Sequence, residues 1–81
     1  MNSILIAGKV SSEIKLDEYI EFLTFKVEYI DGNYICLINK KIVNPNFNIR
    51  KGKWIQLVAK KIRPGSLLIS YYIILNDGWM K

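Results

Sequence analysis

Ten of the 81 residues are aromatic and twelve are lysine or arginine, and members of the two groups lie close together along the chain. Aromatic rings can stack on the faces of nucleobases, and cationic side chains can follow a phosphate backbone. This pairing of residue types therefore indicates nucleic-acid binding. The candidate binding residues are Phe22, Lys26, Tyr34, Lys40, Lys41, Arg50, Lys51, Lys53, Trp54, Lys60, Lys61 and Arg63.

Ordinary structural roles remain open for each of these residues. Phe22 and Tyr34 are as compatible with packing against another subunit as with base stacking. For Trp54, contact with a ligand or an interface is favoured over a position in the core. Each lysine taken alone is as compatible with simple solvation as with binding, because lysines also keep small hydrophobic domains soluble. The binding interpretation therefore rests on the clustering of these residues rather than on any one of them.

The charge of the chain is unevenly distributed. The formal net charge is +5, but residues 1–39 carry −3 and residues 40–81 carry +8. Such asymmetry is typical of a protein with an acidic partner, most often nucleic acid.

The composition excludes several classes of site. The chain has no histidine and only one cysteine, Cys36, so neither a four-ligand zinc site nor a Ser/His/Asp or Cys/His catalytic arrangement can form. The Gly-Lys pairs at 8–9 and 52–53 lack the glycine and hydroxyl spacing of a phosphate loop. We expect no metal, no cofactor and no enzymatic activity.

Membrane insertion and disulfide bonding are also not expected. The longest nearly apolar run, residues 67–75, is nine residues long, whereas a membrane span needs about 20. With a single cysteine there is no intrachain disulfide, which fits a reducing compartment. These features predict a soluble, cytoplasmic protein.

Five strand-like runs separated by turn signals make up most of the chain. Ile, Val and Thr together supply 19 residues and Ala only two, a composition that favours strands over helices. Asp31-Gly32 and the segment 63–66 predict tight turns, and residues 11–18 and 40–52 predict loops, the second with at most one helical turn. The runs are residues 3–10, 19–30, 34–39, 53–62 and 67–75.

Alternation of apolar and polar residues assigns the faces of these runs. Leu23, Phe25, Val27 and Tyr29 are expected in the core, with Phe22, Thr24, Lys26 and Glu28 on the opposite, outward face. Two further expectations concern the third and fourth runs: Tyr34 and Cys36 face outward in one, and Trp54 faces outward in the other. Gly8, inside the first run, indicates a bulge or sharp bend.

The fifth run is apolar on both faces. Strict alternation places Leu67, Ile69, Tyr71 and Ile73 on one face and Leu68, Tyr72 and Ile74 on the other. One face can fill a barrel, and the other then needs cover from the C-terminal tail or from a second copy. We expect a homodimer.

Short strands joined by hairpin turns predict an all-β, five-stranded barrel with little or no helix, formed as one domain over residues 1–81. Closure into a barrel also removes the exposed edges that an open sheet of this size would have.

The order of several motifs resembles that of the bacterial single-stranded-DNA-binding protein family. The motifs are Met1-Asn2, then the sequences of residues 4–10, 25–28, 51–57 and 73–75. The resemblance covers most of the chain and implies an OB-fold, a Greek-key barrel that takes a single strand across its second and third strands. It also places Tyr34 near a family aromatic that stacks on bases.

The sequence departs from that family in three ways. The connector 40–52 is rich in asparagine and contains Pro45, which argues against the family's helix; the hairpins are short; and no acidic tail follows. The connector and the size of the chain are closer to those of a shorter relative of the family, primosomal replication protein N. The resemblance implies binding to single-stranded DNA with little sequence preference, in a replication, recombination or mobile-element accessory role.

Two other functions remain open on the sequence. One is an RNA-binding OB module of the S1 or initiation-factor type, which shares the size and charge. The other is a protein interaction adaptor that uses the same apolar strand faces without nucleic acid.

Overall fold

Six strands and one short 3-10 helix form the regular structure in the part of the chain that the structure describes. A computed structural model describes residues 3–16, 21–43 and 49–75. The 3-10 helix is Lys40–Ile42. The strands are β1 (Ser3–Val10), β2 (Lys15–Leu16), β3 (Phe22–Tyr29), β4 (Gly32–Asn39), β5 (Trp54–Arg63) and β6 (Ser66–Leu75).

The strands close into a barrel with the order β1-β5-β6-β4-β3, and β1 pairs with β3 to complete the circle. β4 and β6 run parallel, whereas the other neighbours are antiparallel. The two-residue β2 adds to the outer edge of β3. This is the Greek-key order of an OB-fold. The prediction of an all-β, five-stranded OB barrel is confirmed.

The barrel interior is filled by alternate residues of the long strands. Leu23, Phe25 and Val27 of β3 are buried, as are Ile55, Leu57 and Ala59 of β5. Tyr29 packs partly against this core. The predicted core faces of these two strands are therefore confirmed, because each strand has one apolar and one largely wet side.

Gly8 allows β1 to pass from β5 to β3 where the barrel closes. β1 pairs with β5 from Ser3 to Lys9 and with β3 only at Lys9 and Val10. A Cβ on Gly8 would lie 2.5 Å from the carbonyl oxygen of Glu28 and 2.7 Å from a methyl carbon of Val27. The glycine is required for close approach of two backbones.

The outward assignment of Tyr34 and Cys36 is wrong. Cys36 is fully buried in the core, and Tyr34, two residues earlier on the same side of β4, packs partly against it. The outward residues are the alternate ones, including Ile35, which is 46% exposed. β4 is apolar on both sides, so its register with β3 and β6 decides which side enters the core.

The strict alternation predicted for the fifth run is also wrong. Val58 pairs with Tyr71 and the next residue, Ala59, pairs with Ile69, so that Ser70 is an extra residue in β6. This β-bulge inverts the alternation beyond it. As a result Tyr72 and Ile74 pack against the core, whereas Tyr71 and Ile73 are exposed.

Where the structure describes the predicted loops, they are confirmed with one addition. The connector contains the 3-10 helix Lys40–Ile42, within the single helical turn expected there. The segment 11–18 contributes β2, which was not predicted. Residues 17–20 and 44–48 and the turn signal Asp77-Gly78 lie outside the described residues.

Candidate nucleic-acid interface

The outer face of β3 forms the floor of a groove. Phe22, Thr24, Lys26 and Glu28 alternate with the buried residues of this strand and point away from the core. Phe22 and Thr24 are half-buried, whereas Lys26 and Glu28 are exposed. One ring, one hydroxyl and two opposite charges therefore follow each other along a single strand.

The segment 11–16 forms one wall of this groove and is tied to Lys26. The Lys26 amide donates a hydrogen bond to Ser12 Oγ at 2.9 Å, and the Ser11 amide donates to the Lys26 carbonyl at 2.8 Å. Further along, Lys15 pairs with Thr24. These bonds position the Lys15 ammonium beside the outer face of β3.

The other wall is the outward face of β4. Asn33, Ile35 and Leu37 lie opposite Glu28, Lys26 and Thr24 in register. The groove has two adjoining parts that share Lys26 and Ile35. One part, of about 310 Å³, is lined by Ser12, Lys15, Thr24, Phe25, Lys26 and Ile35, and the other, of about 440 Å³, by Ser11, Lys26, Glu28, Asn33 and Ile35.

Phe22 and two of the predicted cations meet at one end of this groove. Phe22 pairs with Asn39, the last residue of β4. The 3-10 helix follows, held by the Lys41 amide donating to Asn39 Oδ1 at 2.8 Å and the Lys40 amide donating to the Glu21 carbonyl at 2.9 Å. The fold therefore places Lys40 and Lys41 beside an outward ring.

Trp54 lies at the opposite end of the groove, in a row of outward residues that crosses four strands. The Cα partners are Trp54 with Lys9, Lys9 with Glu28, and Glu28 with Asn33. The outward position of Trp54 is confirmed, and its side chain is half-buried. The row brings a ring, a cation, a carboxylate and an amide onto one stretch of the barrel wall.

The cations that precede Trp54 lie beside the end of β1. Gly52 donates to the Val10 carbonyl at 2.8 Å and Val10 donates to the Lys53 carbonyl at 2.8 Å. Arg50 and Lys51 are exposed and Lys53 is half-buried. This group extends the Trp54 end of the row.

Lys60, Lys61 and Arg63 form a third group, at the far end of β5 from Trp54. All three are exposed, and the hairpin that follows them lies beside β4 because Ile35 donates to the Gly65 carbonyl at 2.8 Å. Ile35 in turn pairs with Lys26. The hairpin therefore lies beside β4, the strand that forms one wall of the groove.

Tyr34 is the predicted site residue that the fold sets apart. Its ring lies on the core side of β4, and its hydroxyl donates to Asp31 Oδ2 at 2.9 Å. This hydrogen bond, followed by desolvation and the charge of Asp31, raises the pKa of Tyr34 above its usual value. The Tyr34 hydroxyl therefore lies at the turn end of the β3–β4 hairpin and not on the groove floor.

Several groove residues were missed by the sequence reasoning: Lys9, Ser11, Ser12, Lys15, Asn33 and Ile35. Lys9 and Ile35 could have been placed outward by alternation once Gly8 and Cys36 were known to face inward. The contribution of the segment 11–16 carries no such signal, since its position depends on pairing with β3.

The described residues form neither a metal-ligand cluster nor a membrane-spanning helix. Within residues 3–16, 21–43 and 49–75, no three carboxylate or thiol residues group as metal ligands would. The helical structure in these ranges is too short to cross a membrane.

No family model and no curated protein matches this sequence. Solved structures do match the fold. Two crystal structures of the mitochondrial single-stranded DNA binding protein Rim1 from S. cerevisiae superpose with TM-scores of 0.71 and 0.72, at 20% and 21% identity. The matches cover 95% of this chain and 97% and 96% of those chains. The chain therefore has the OB fold that these single-stranded DNA binding proteins have.

Proposed function

We propose that this protein binds single-stranded DNA with little sequence preference along the outer face of β3. The observation that carries the proposal is the groove over β3, with Phe22 on the same strand face as Lys26 and with Trp54 and Lys9 in one row with Glu28. A ring stands at each end, and exposed cations lie along the groove. Bases would stack on the rings while lysines neutralise phosphates, a mode that depends little on sequence.

The predicted site residues divide into roles on this surface. Phe22 and Trp54 supply stacking faces, and Lys26 lies between them. The flanking groups attract the backbone: Lys40 and Lys41 beside Phe22, Arg50, Lys51 and Lys53 beside Trp54, and Lys60, Lys61 and Arg63 along the hairpin. Tyr34 contributes at most the edge of its half-buried ring.

The experiment is a fluorescence titration with oligo-dT, oligo-rU and a duplex at two salt concentrations. We expect tight binding of dT that weakens with salt, with a slope of log affinity against log salt of about −3 if four phosphates are neutralised. Preference for rU would support the RNA-binding alternative of the S1 type. Absence of binding below about 100 µM to all three would support the protein adaptor.

The cellular role that we propose is that of an accessory protein in replication, recombination or a mobile element, acting in the cytoplasm without catalysis. The support is the motif order shared with the bacterial single-stranded-DNA-binding family and the size shared with primosomal replication protein N. One domain spans residues 1–81 in this proposal.

We also propose that two copies associate through the outer face of β1, β5 and β6. Leu5, Val58 and Tyr71 form one row across these strands, and Ala7, Gln56 and Ile73 form the next. Leu5 is 62% and Tyr71 59% exposed, and a cavity of about 80 Å³ lies among these residues. Soluble monomers seldom leave a contiguous apolar patch of this kind open.

A second copy is the occupant that fits this face. It carries no charge, and Gln56 near its centre can both donate and accept, so two symmetry-related amides can pair across a two-fold axis. Sedimentation should give a dimer, and Tyr71→Lys should give a monomer. Ile30→Lys, at an exposed turn position, is the matched control and should remain dimeric. A monomeric wild type, with this face covered by residues 76–81 or by another protein, would contradict the proposal.

A further inference from the structure

The Glu28 end of the groove differs chemically from the rest of the interface. Its lining of Ser11, Lys26, Glu28, Asn33 and Ile35 contains one carboxylate in a surface otherwise suited to phosphates. A carboxylate repels phosphate but accepts hydrogen bonds from the amino and imino groups of bases. This end of the groove is therefore suited to the edge of a base.

Glu28 and Asn33 are placed to act on the same base. They are direct Cα partners in the antiparallel pair β3–β4, and both are exposed on its outer face. Side chains in this relationship start about 5 Å apart. The Ser11 hydroxyl donates to Asn33 Oδ1 at 2.8 Å, which occupies the amide oxygen and leaves the Asn33 Nδ2 group as the donor.

An amide donor beside a carboxylate complements one base better than the others. The Watson–Crick edge of guanine presents the O6 acceptor next to two donors, N1–H and the N2 amino group. Asn33 would donate to O6, and the two oxygens of Glu28 would accept from N1 and N2. Thymine would instead bring its O2 against a carboxylate oxygen, and adenine and cytosine offer one donor each.

The surrounding residues support the same placement. Lys26 lies two residues before Glu28 on β3, and Lys9 is the partner of Glu28 on β1, so a cation stands on either side for the flanking phosphates. Ile35 offers an exposed apolar surface to the plane of the base. We propose that Glu28 and Asn33 form a base-reading subsite for guanine, which rests on the proposed single-strand binding.

The test compares oligonucleotides that differ by a single amino group. Fluorescence anisotropy is measured with oligo-dT, with an alternating thymine–guanine strand and with the same strand carrying inosine, which lacks the N2 amino group. Guanine and hypoxanthine are both supplied in their 7-deaza forms, which keep the Watson–Crick edge and prevent quadruplexes. We expect the guanine strand to bind about tenfold more tightly than the inosine strand, the size expected of a charged hydrogen bond.

Two variants and one control complete the test. Glu28→Gln should bring the guanine-to-inosine ratio close to one while dT is still bound. Asn33→Asp should instead weaken binding of the guanine and inosine strands together relative to dT, because both bases carry the O6 acceptor. Glu13→Gln, which removes an exposed carboxylate outside the groove lining, should leave the ratio unchanged. A wild-type ratio of one, or a ratio that persists in Glu28→Gln, would overturn the subsite alone. Failure to bind any of the three strands would overturn the proposed function as well.

Discussion

The backbone carbonyl oxygen of Glu28 occupies the space in which a side chain on Gly8 would begin, 2.5 Å from the position of its Cβ. This contact joins β1 to β3 at the point where the barrel closes. The Glu28 oxygen belongs to the backbone, and the next nearest atom, a methyl carbon of Val27, is buried, so neither atom has room to move aside. The barrel can close at this point only if residue 8 has no side chain.

Gly8→Ala should therefore destabilise the protein by about 2 kcal/mol, within the range for overpacked sites. The added methyl group must push β1 away from Glu28 and from Val27. Urea denaturation followed by circular dichroism measures the free energy of unfolding. Lys9→Ala, at the exposed neighbouring position, is the control and should change it by less than about 0.5 kcal/mol. Equal stability of the two variants would contradict this account of closure.

Insertion of an alanine directly after Ser70 should destabilise the protein by more than about 3 kcal/mol. With one more residue after the bulge, the residues that follow would reverse their facing, so Tyr72 and Ile74 would leave the core and be replaced by Tyr71 and Ile73. Ser70→Ala keeps the extra residue and loses only the hydrogen bond from Ser70 Oγ to the Val58 carbonyl, 3.1 Å long. In the same denaturation experiment, the Ser70→Ala control should lower the free energy of unfolding by only about 1 kcal/mol.

Cys36 should make the stability of the protein depend on alkaline pH. Burial raises the pKa of the Cys36 thiol to about 12 from its usual 9.0, because the thiolate is poorly solvated in the core. The protonated thiol is favoured in the folded state. Its contribution to the free energy of unfolding is therefore constant below pH 9 and is lost as the pH rises toward 12. Relative to Cys36→Ala, the free energy of unfolding should fall by about 1.4 kcal/mol per pH unit in that interval.

A thiol reagent offers a second measurement at Cys36. At pH 8 the folded protein should react far more slowly than the protein in denaturant, since only the thiolate attacks and the side chain is inaccessible. Rapid labelling of the folded protein would show that the Cys36 side of β4 opens to solvent.

Phe22 should contribute to DNA affinity through its ring. Phe22→Leu keeps an apolar side chain but removes the stacking face, and we expect affinity for oligo-dT to fall about tenfold. Phe22→Tyr is the matched control, because it retains the ring and should retain affinity. Anisotropy titrations at fixed salt measure both. Loss of binding in Phe22→Tyr as well, with the fold intact, would point to packing rather than stacking at this position.

The sequence predicts the strands that have one polar face and fails on those that have none. In β3 and β5 the alternation itself fixes which residues enter the core. In β4, Ile35 and Leu37 are as apolar as Cys36 and Ile38, so only pairing with neighbouring strands decides their facing. In β6 the bulge lies at Ser70, and nothing nearby in the sequence distinguishes this residue from an ordinary outward-facing serine.

The residues on the floor of the groove could be predicted from the sequence, whereas those of its walls could not. Phe22, Lys26 and Trp54 follow from alternation within single strands. The row that joins Trp54 to Lys9, Glu28 and Asn33 depends on the register of four strands, which apolar patterning does not encode. Tyr34 was misplaced for the reason that applies to β4 as a whole.

The position of β6 has a consequence for how the chain folds during synthesis. β6 is the last described strand, yet it lies between β5 and β4 and pairs in parallel with β4 through Ile35–Ile38. While residues 66–75 are still inside the ribosome, β4 and β5 have no strand between them, and only the short β1–β3 pairing joins the β3–β4 hairpin to the β1–β5 pair. Their apolar faces stay exposed, and open to mispairing, until residues 66–75 have emerged.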